Sequence, residues 1–169
     1  MFGKREFNKK KLFIYVALNL VMIALLLAET FLHMNIPAFF LFILFVLLSV
    51  CIYLLFEFII SIPKTEESLQ SIFTGSGLLI SLIITTYANL YLQVYRMKGE
   101  KAFKFSGEEL SGNDFMYYSI TTFTTTGFGD ITSIGMLSNM IAASEMLTGF
   151  IISTLFMALL TSKLVKNLK

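Results

Sequence analysis

Charged residues are scarce in this chain of 169 residues: they make up 14% of it, whereas 56% of the residues are hydrophobic. The mean hydropathy of +0.78 is above the range of ordinary soluble domains. The formal net charge of +2 is too small to indicate nucleic acid as a partner. This composition excludes a typical soluble domain and predicts a protein that lies in lipid.

Cysteine and histidine are nearly absent, since Cys51 and His33 are the single residues of their types. One cysteine excludes a disulfide framework or a multi-cysteine metal site within one chain. No nucleophile, base and orienting group cluster outside the apolar segments. We therefore expect no enzymatic activity and no bound cofactor.

Long stretches without charge run from residue 30 to 56 and from residue 68 to 95. Each exceeds the roughly 20 apolar residues that span about 30 Å of hydrocarbon. We predict an all-α integral membrane protein with four spans, near residues 12–32, 36–62, 71–96 and 134–162. Neither of the first two spans has basic residues at every third position. A voltage sensor needs such residues to move charge across the membrane, so we do not expect voltage sensing by this pair.

Basic residues are distributed unevenly between the two sides that this topology defines. An even number of spans places both termini on one side, which carries nine basic residues, whereas the other carries four. The positive-inside rule then predicts a multi-pass protein of the cell membrane with both termini cytoplasmic. The basic segment 1–11 is expected to attract anionic lipid, and residues 163–169 are predicted to form a short cytoplasmic tail.

The segment between the last two spans is the most informative part of the chain. A polar turret is predicted at residues 97–112 and a short helix at 113–124, and they are followed by Thr-Thr-Gly-Phe-Gly-Asp at 125–130. Two glycines around one aromatic residue permit backbone conformations that residues with a Cβ avoid, so that successive carbonyls can point the same way. Irregular backbone at membrane depth occurs where it is buried in protein or lines water. These properties are typical of an ion selectivity filter.

This region resembles the pore domain of potassium channels, whose pattern is Thr-x-x-Thr-x-Gly-Tyr/Phe-Gly-Asp. Six residues match in register, and the resemblance extends over residues 71–165: Thr122, Thr125, Gly127, Phe128, Gly129 and Asp130. It implies a re-entrant pore helix, an outer helix 71–96 and an inner helix 134–162. It also implies that backbone carbonyls in the segment 125–129 bind K⁺, namely those of Thr125, Thr126, Gly127 and Phe128. The Thr125 hydroxyl would form the innermost site, and Asp130 would lie at the outer mouth.

One loop offers too few oxygens to surround a dehydrated cation, and the chain contains one such loop. Closure therefore requires a cyclic homotetramer with the filter on its axis. K⁺ would be the permeant ligand of this assembly.

Several residues depart from the commonest pattern of that family. Phe128 replaces a tyrosine whose hydroxyl braces the filter, and Tyr117 and Tyr118 occupy the positions of the tryptophans that receive this brace. Thr121 stands where many bacterial relatives have glutamate, and Thr126 replaces an aliphatic residue. We expect filter support from Tyr117, Tyr118, Thr121, Thr122 and Glu145.

The last span is predicted to contain the gate. Gly149 lies at the spacing of the inner-helix glycine of that family, and either a hinge or a close helix contact would explain it. The same register directs four residues to the cavity or inner mouth: Phe150, Ser153, Met157 and Thr161.

Glu145 lies deep in the same span, where a carboxyl is costly without a partner. We expect that partner in the pore helix or the filter support, for example Thr121 or Thr122, and either structural bracing or pH sensing would account for it.

Two other functions remain open from the sequence. A weakly selective monovalent cation channel would result if the missing hydroxyl of Phe128 leaves the filter loose. A non-conducting membrane subunit or scaffold would retain the loop as a structural element.

Overall fold

A computed structural model of the chain describes residues 9–32, 39–64, 68–106 and 109–167. The N-terminal segment before Lys9, the loops 33–38, 65–67 and 107–108, and the last two residues lie outside the described residues. The prediction about lipid at the basic N-terminus therefore concerns a segment that is largely not described. Helices and strands follow in this order: α1 Lys9–Leu32, α2 Phe39–Ser61, α3 Leu69–Lys98, β1 Phe103–Phe105, α4 Gly112–Phe123, β2 Ile131–Ser133 and α5 Met136–Asn167.

Within the described ranges, three helical segments are long and apolar enough to cross a membrane: Phe39–Lys64, Leu69–Lys101 and Met136–Val165. They correspond to three of the four predicted spans. The apolar part of α1, Leu12–Ala28, is shorter. A fourth span through α1 therefore stays a prediction.

Helix α3 is the centre of the fold. It packs against α1, α2, α4 and α5, and every side chain from Thr85 to Val94 is buried. A helix that is covered on all sides needs small or apolar residues around its whole circumference. Residues 85–94 contain no charged side chain, and the two basic residues of α3, Arg96 and Lys98, lie in its last turn.

Helix α2 buries one narrow stripe and exposes the rest of its surface. The buried residues recur every three or four positions: Leu44, Leu48, Cys51, Leu55 and Ile59. This spacing forms a single face that packs toward the interior, while residues such as Phe42 and Tyr53 stay exposed. Cys51 is a buried free thiol within this face.

A two-stranded antiparallel ribbon joins the segments before α4 and before α5. Phe103 pairs with Ser133 and Phe105 pairs with Ile131. The N–H groups of Ile134 and Gly135 donate to the Ala102 carbonyl at 2.9 and 3.3 Å. The predicted turret at 97–112 therefore contains a 3-10 turn, Gly99–Lys101, and a strand.

These contacts also shift the last helix relative to its predicted bounds of 134–162. Ile134 and Gly135 belong to the junction with the ribbon, so α5 begins at Met136. At its other end it continues to Asn167, and the predicted tail is helical as far as that residue.

The first turn of α4 contains an acidic side chain, Asp114, that binds the residue just before the helix. The Asp114 carboxylate accepts hydrogen bonds from the Ser111 N–H at 2.8 Å and from the Ser111 hydroxyl at 2.6 Å. A carboxylate at this position pairs a free N–H and interacts favourably with the positive end of the helix. The start of α4 is therefore fixed at Ser111.

We predict that Asp114→Ala destabilises the folded protein by about 1 kcal/mol, because it removes this pairing at the helix start. Asn113→Ala is the matched control, since Asn113 is exposed in the same turn. Unfolding of both variants in lipid-detergent micelles, followed by circular dichroism, measures the difference. Equal stability of the two variants would contradict the prediction.

Candidate functional site

The loop after α4 has an alternating backbone. Thr125, Gly127 and Gly129 have φ angles of 58°, 50° and 83°, and the residues between them do not have positive φ. When left-handed and right-handed residues alternate, successive carbonyls point to one side of the chain, in contrast to a β-strand where they point to opposite sides. Thr125 is β-branched, and such a residue adopts positive φ only when its surroundings impose it.

The amide side of the loop is bound to the end of α4. The Thr125 N–H donates to the Thr122 carbonyl at 3.0 Å, and the N–H groups of Thr126 and Gly127 donate to the Thr121 carbonyl at 2.8 and 3.2 Å. Residues 124–130 are all exposed on the single chain. The amides of Thr125, Thr126 and Gly127 are thus paired inside the chain, and the loop's outer surface is open to another molecule.

The electrostatics of the loop favour a cation. Helix α4 ends at Phe123, and the negative end of its dipole is directed at the residues that follow. The loop contains hydroxyl and carbonyl oxygens and no ionisable side chain before Asp130. Neutral oxygens near a helix C-terminus suit a monovalent cation that has lost its hydration shell.

Tyr117, Phe128 and Asp130 form a group at the outer side of the loop. The rings of Tyr117 and Phe128 are stacked, with centroids 6.3 Å apart and planes 7° from parallel. The Tyr117 hydroxyl interacts with the Asp130 carboxylate, and Asp130 Oδ1 accepts the Ile131 N–H at 3.0 Å. Tyr117 therefore connects Phe128 and Asp130 on this side of the loop.

Tyr118 lies on the buried side of α4, next to α3 and β1. Its ring centroid is 4.9 Å from that of Tyr91 and 5.8 Å from that of Phe103, both in edge-on geometry. Phe115 completes this cluster with a centroid distance of 5.0 Å to Phe103. The cluster joins α3, β1 and α4, so Tyr118 supports the loop through the position of α4.

Thr121 and Thr122 act on the loop through their backbone carbonyls. The Thr121 hydroxyl donates to the Tyr118 carbonyl at 3.0 Å, within its own helix. The Thr121 carbonyl accepts two loop amides and the Thr122 carbonyl accepts one. The threonine side chains are therefore not the groups that hold the loop.

Glu145 is fully buried, and its two oxygens have partners on two other helices. The Tyr91 hydroxyl of α3 donates to Oε2 at 2.6 Å, and the Ser119 hydroxyl of α4 donates to Oε1 at 2.5 Å. The Ser119 hydroxyl also lies 2.9 Å from the Ile84 carbonyl. This network connects α3, α4 and α5 behind the loop.

Glu145 has its expected partner in the helix before the loop, but this partner is Ser119, and the two threonines named as examples, Thr121 and Thr122, were wrong. Ser119 is the residue of α4 that faces α3 and α5, and it is completely buried. Thr121 is two positions further along, about 200° around the helix, and points elsewhere. Ser119 could have been identified from the sequence, because it is a small polar residue in an otherwise apolar and aromatic stretch. Nothing in the sequence indicated Tyr91.

Gly149 lies in direct contact with the end of α4. A Cβ on Gly149 would be 2.0 Å from the Phe123 carbonyl oxygen, closer than any real contact. The glycine therefore allows α5 to approach the residue from which the loop begins. This is the close contact that the sequence offered as one alternative, and the hinge stays a prediction.

The four residues that were predicted to line the cavity lie on the surface of α5. Phe150 and Met157 expose 64% and 62% of their area, and Ser153 and Thr161 are exposed as well. The opposite face carries Ala142, Glu145, Gly149 and Ile152, which are buried in the chain. The predicted lining residues are thus free to face a shared space.

A family model described as ion channel matches residues 78–166, which is just over half of the chain. The match includes most of α3, the loop and nearly all of α5. The chain belongs to this ion channel family, as the resemblance in the sequence implied. No curated protein and no solved structure matched the chain.

Membership of this family, together with the apolar helices, makes the protein a membrane-embedded component of ion transport. The matched region contains the alternating loop, the Glu145 network and the Gly149 contact. The site described above therefore lies within the part of the chain that matches the family.

We predict that Gly149→Ala lowers the unfolding temperature, because a methyl group would overlap the Phe123 carbonyl and overpacking of this kind costs about 1–3 kcal/mol or more. Gly77→Ala is the matched control: Gly77 also lies in a long helix, and a Cβ there meets nothing within 4 Å. Thermal unfolding of the purified protein distinguishes the two. An unaltered Gly149→Ala protein would show that α5 does not pack on the end of α4.

We predict that Glu145→Gln retains ion flux and Glu145→Val loses it. Glutamine offers an oxygen to Tyr91 and an N–H to Ser119, which then donates to the Ile84 carbonyl. Valine leaves buried hydroxyls without partners, at about 1–3 kcal/mol each. Flux into proteoliposomes measures both variants, and equal flux would rule out a bracing role for Glu145.

Proposed function

We propose that the chain is one subunit of a homotetrameric, potassium-selective channel. The loop 125–130 forms the filter in this proposal, and K⁺ passes through it passively. The observation that carries the proposal is the alternation of φ at Thr125, Gly127 and Gly129 while the amides of Thr126 and Gly127 bind the Thr121 carbonyl. This arrangement leaves a row of carbonyl oxygens as the open side of the loop.

The need for four copies follows from the coordination of the ion. A single loop covers one side of an ion, while a dehydrated cation requires oxygens on all sides. Because the chain has one such loop, a closed ring of identical subunits supplies the rest. The carbonyls of Thr125, Thr126, Gly127 and Phe128 are the proposed ligands, with the Thr125 hydroxyl at the inner end.

The exposed apolar surface around the loop supports assembly. Ile120, Phe128 and Phe150 expose between 43% and 70% of their area, and they lie on α4, the loop and α5. Large exposed apolar side chains next to a polar loop are typical of a surface that a second protein covers. Neighbouring subunits would cover part of it, and the remainder on α5 would line the cavity.

The Tyr117–Phe128 stack favours potassium selectivity over a loose filter. It would limit the outward movement of the loop, and the interaction of the Tyr117 hydroxyl with Asp130 would restrain the tyrosine ring. A filter held from its outer side keeps its carbonyls at a defined distance from the axis. No enzymatic step and no cofactor is required for conduction of this kind.

We predict that the full chain, reconstituted in planar bilayers under opposed K⁺ and Na⁺ gradients, shows currents that reverse near the K⁺ equilibrium potential. Gly129→Ala should abolish selectivity or current, since φ of 83° strains any residue with a Cβ. Gly99→Ala is the matched control, because Gly99 has φ of 58° outside the loop.

The other outcomes decide between the alternatives. Reversal midway between the two equilibrium potentials would indicate a weakly selective cation channel. Absence of current from correctly folded protein would indicate a non-conducting subunit. Equal loss of selectivity in both glycine variants would show that the effect arises from general strain and not from the filter.

A further inference from the structure

A polar seam lies between α1 and α3, away from the proposed filter. On α3 it consists of Thr85, Thr86, Asn89 and Gln93, whose spacing places them on one face, and α1 contributes Asn19. Asn19, Asn89 and Gln93 expose 6%, 0% and 3% of their area. Polar side chains buried in apolar helices are costly and usually have a specific role.

Two asparagine amides in the seam hold the helices together. Asn89 Nδ2 donates to the Met22 carbonyl of α1 at 3.1 Å and to the Thr85 carbonyl at 2.8 Å. Asn19 Nδ2 donates to the Leu78 carbonyl of α3 at 3.0 Å and to the Tyr15 carbonyl at 2.9 Å. Since each nitrogen lies between two carbonyls, the orientation of both amides is fixed, and their oxygens point to the other side.

Three buried polar atoms of the seam have no hydrogen-bond partner in the described part of the chain: Asn19 Oδ1, Asn89 Oδ1 and Gln93 Nε2. The neighbouring threonines do not serve them. The Thr85 and Thr86 hydroxyls donate to the Leu82 carbonyl of their own helix at 3.1 and 2.7 Å. An unpaired buried group of this kind costs about 1–3 kcal/mol.

The chemistry of these atoms defines what would bind them. Asn89 and Gln93 are one helical turn apart, and they present an acceptor and a donor to the same side. A ligand must therefore donate and accept, and it must be small, because both side chains are buried. A cation is disfavoured by the amide donor, and an acyl chain would satisfy neither atom.

We propose that the seam between α1 and α3 is a binding site for ordered water, with one water molecule bridging Asn89 Oδ1 and Gln93 Nε2. A buried water that pairs otherwise unsatisfied polar groups is a structural component of a protein and is costly to remove. The seam thereby makes α1 a fixed part of the pore region. The proposal does not depend on potassium conduction.

Gln93→Leu tests the proposal through the sign of its effect on stability. If water is bound in the seam, Gln93→Leu removes one of the two groups that bind it, and the unfolding temperature of the protein falls. In a dry seam, leucine replaces an unpaired amide and the unfolding temperature rises. Thr86→Val is the control, since the Thr86 hydroxyl is paired within its own helix.

Gln93→Met is a second variant, because methionine keeps the length of the glutamine side chain and removes both polar atoms of its amide. Its unfolding temperature should also fall if water is bound in the seam. A higher unfolding temperature of either variant than of the wild type would overturn the proposal.

Discussion

The structure depends on one constraint: a backbone that leaves the helical conformation among apolar helices must find partners for its N–H groups. The Thr121 carbonyl meets this constraint by accepting two loop amides, and the Thr122 carbonyl accepts a third. The loop can then hold positive φ at three alternate positions, including the β-branched Thr125. Everything that positions the last turn of α4 therefore also positions the loop.

Three separate contacts hold that turn. Glu145 connects α5 to Ser119 of α4 and to Tyr91 of α3, and it does so from within the bundle. Gly149 lets α5 touch Phe123, and the ribbon of β1 and β2 fixes the chain on both sides of α4 and the loop. Helix α3 takes part in the first of these contacts through Tyr91, and α1 is bound to α3 through two asparagine amides. The peripheral helix is thus connected to the loop through α3, Glu145 and α4.

The position of the loop, three of the spans and the importance of Glu145 and Gly149 could be predicted from the sequence, because each depends on local composition or on spacing along one segment. The partners of Glu145 could not. Thr121 and Thr122 are adjacent to the loop in sequence, but the register of α4 turns Ser119 toward α5. The ribbon was also missed, since Phe103–Phe105 gives no strand signal until it pairs with Ile131–Ser133. The role of Asn19 and Asn89 likewise depends on which faces of two distant helices meet.

The central claim concerns the arrangement of the loops in the assembled protein. A crystal structure of this chain grown from a lipid phase, in K⁺ and in Rb⁺ so that the anomalous scattering of Rb⁺ locates the ions, tests it most directly. The account predicts four chains around one axis, with ions on that axis and the carbonyls of Thr125, Thr126, Gly127 and Phe128 as their ligands. An assembly in which Phe128 and the two glycines beside it face lipid, with no ion between the chains, would contradict it.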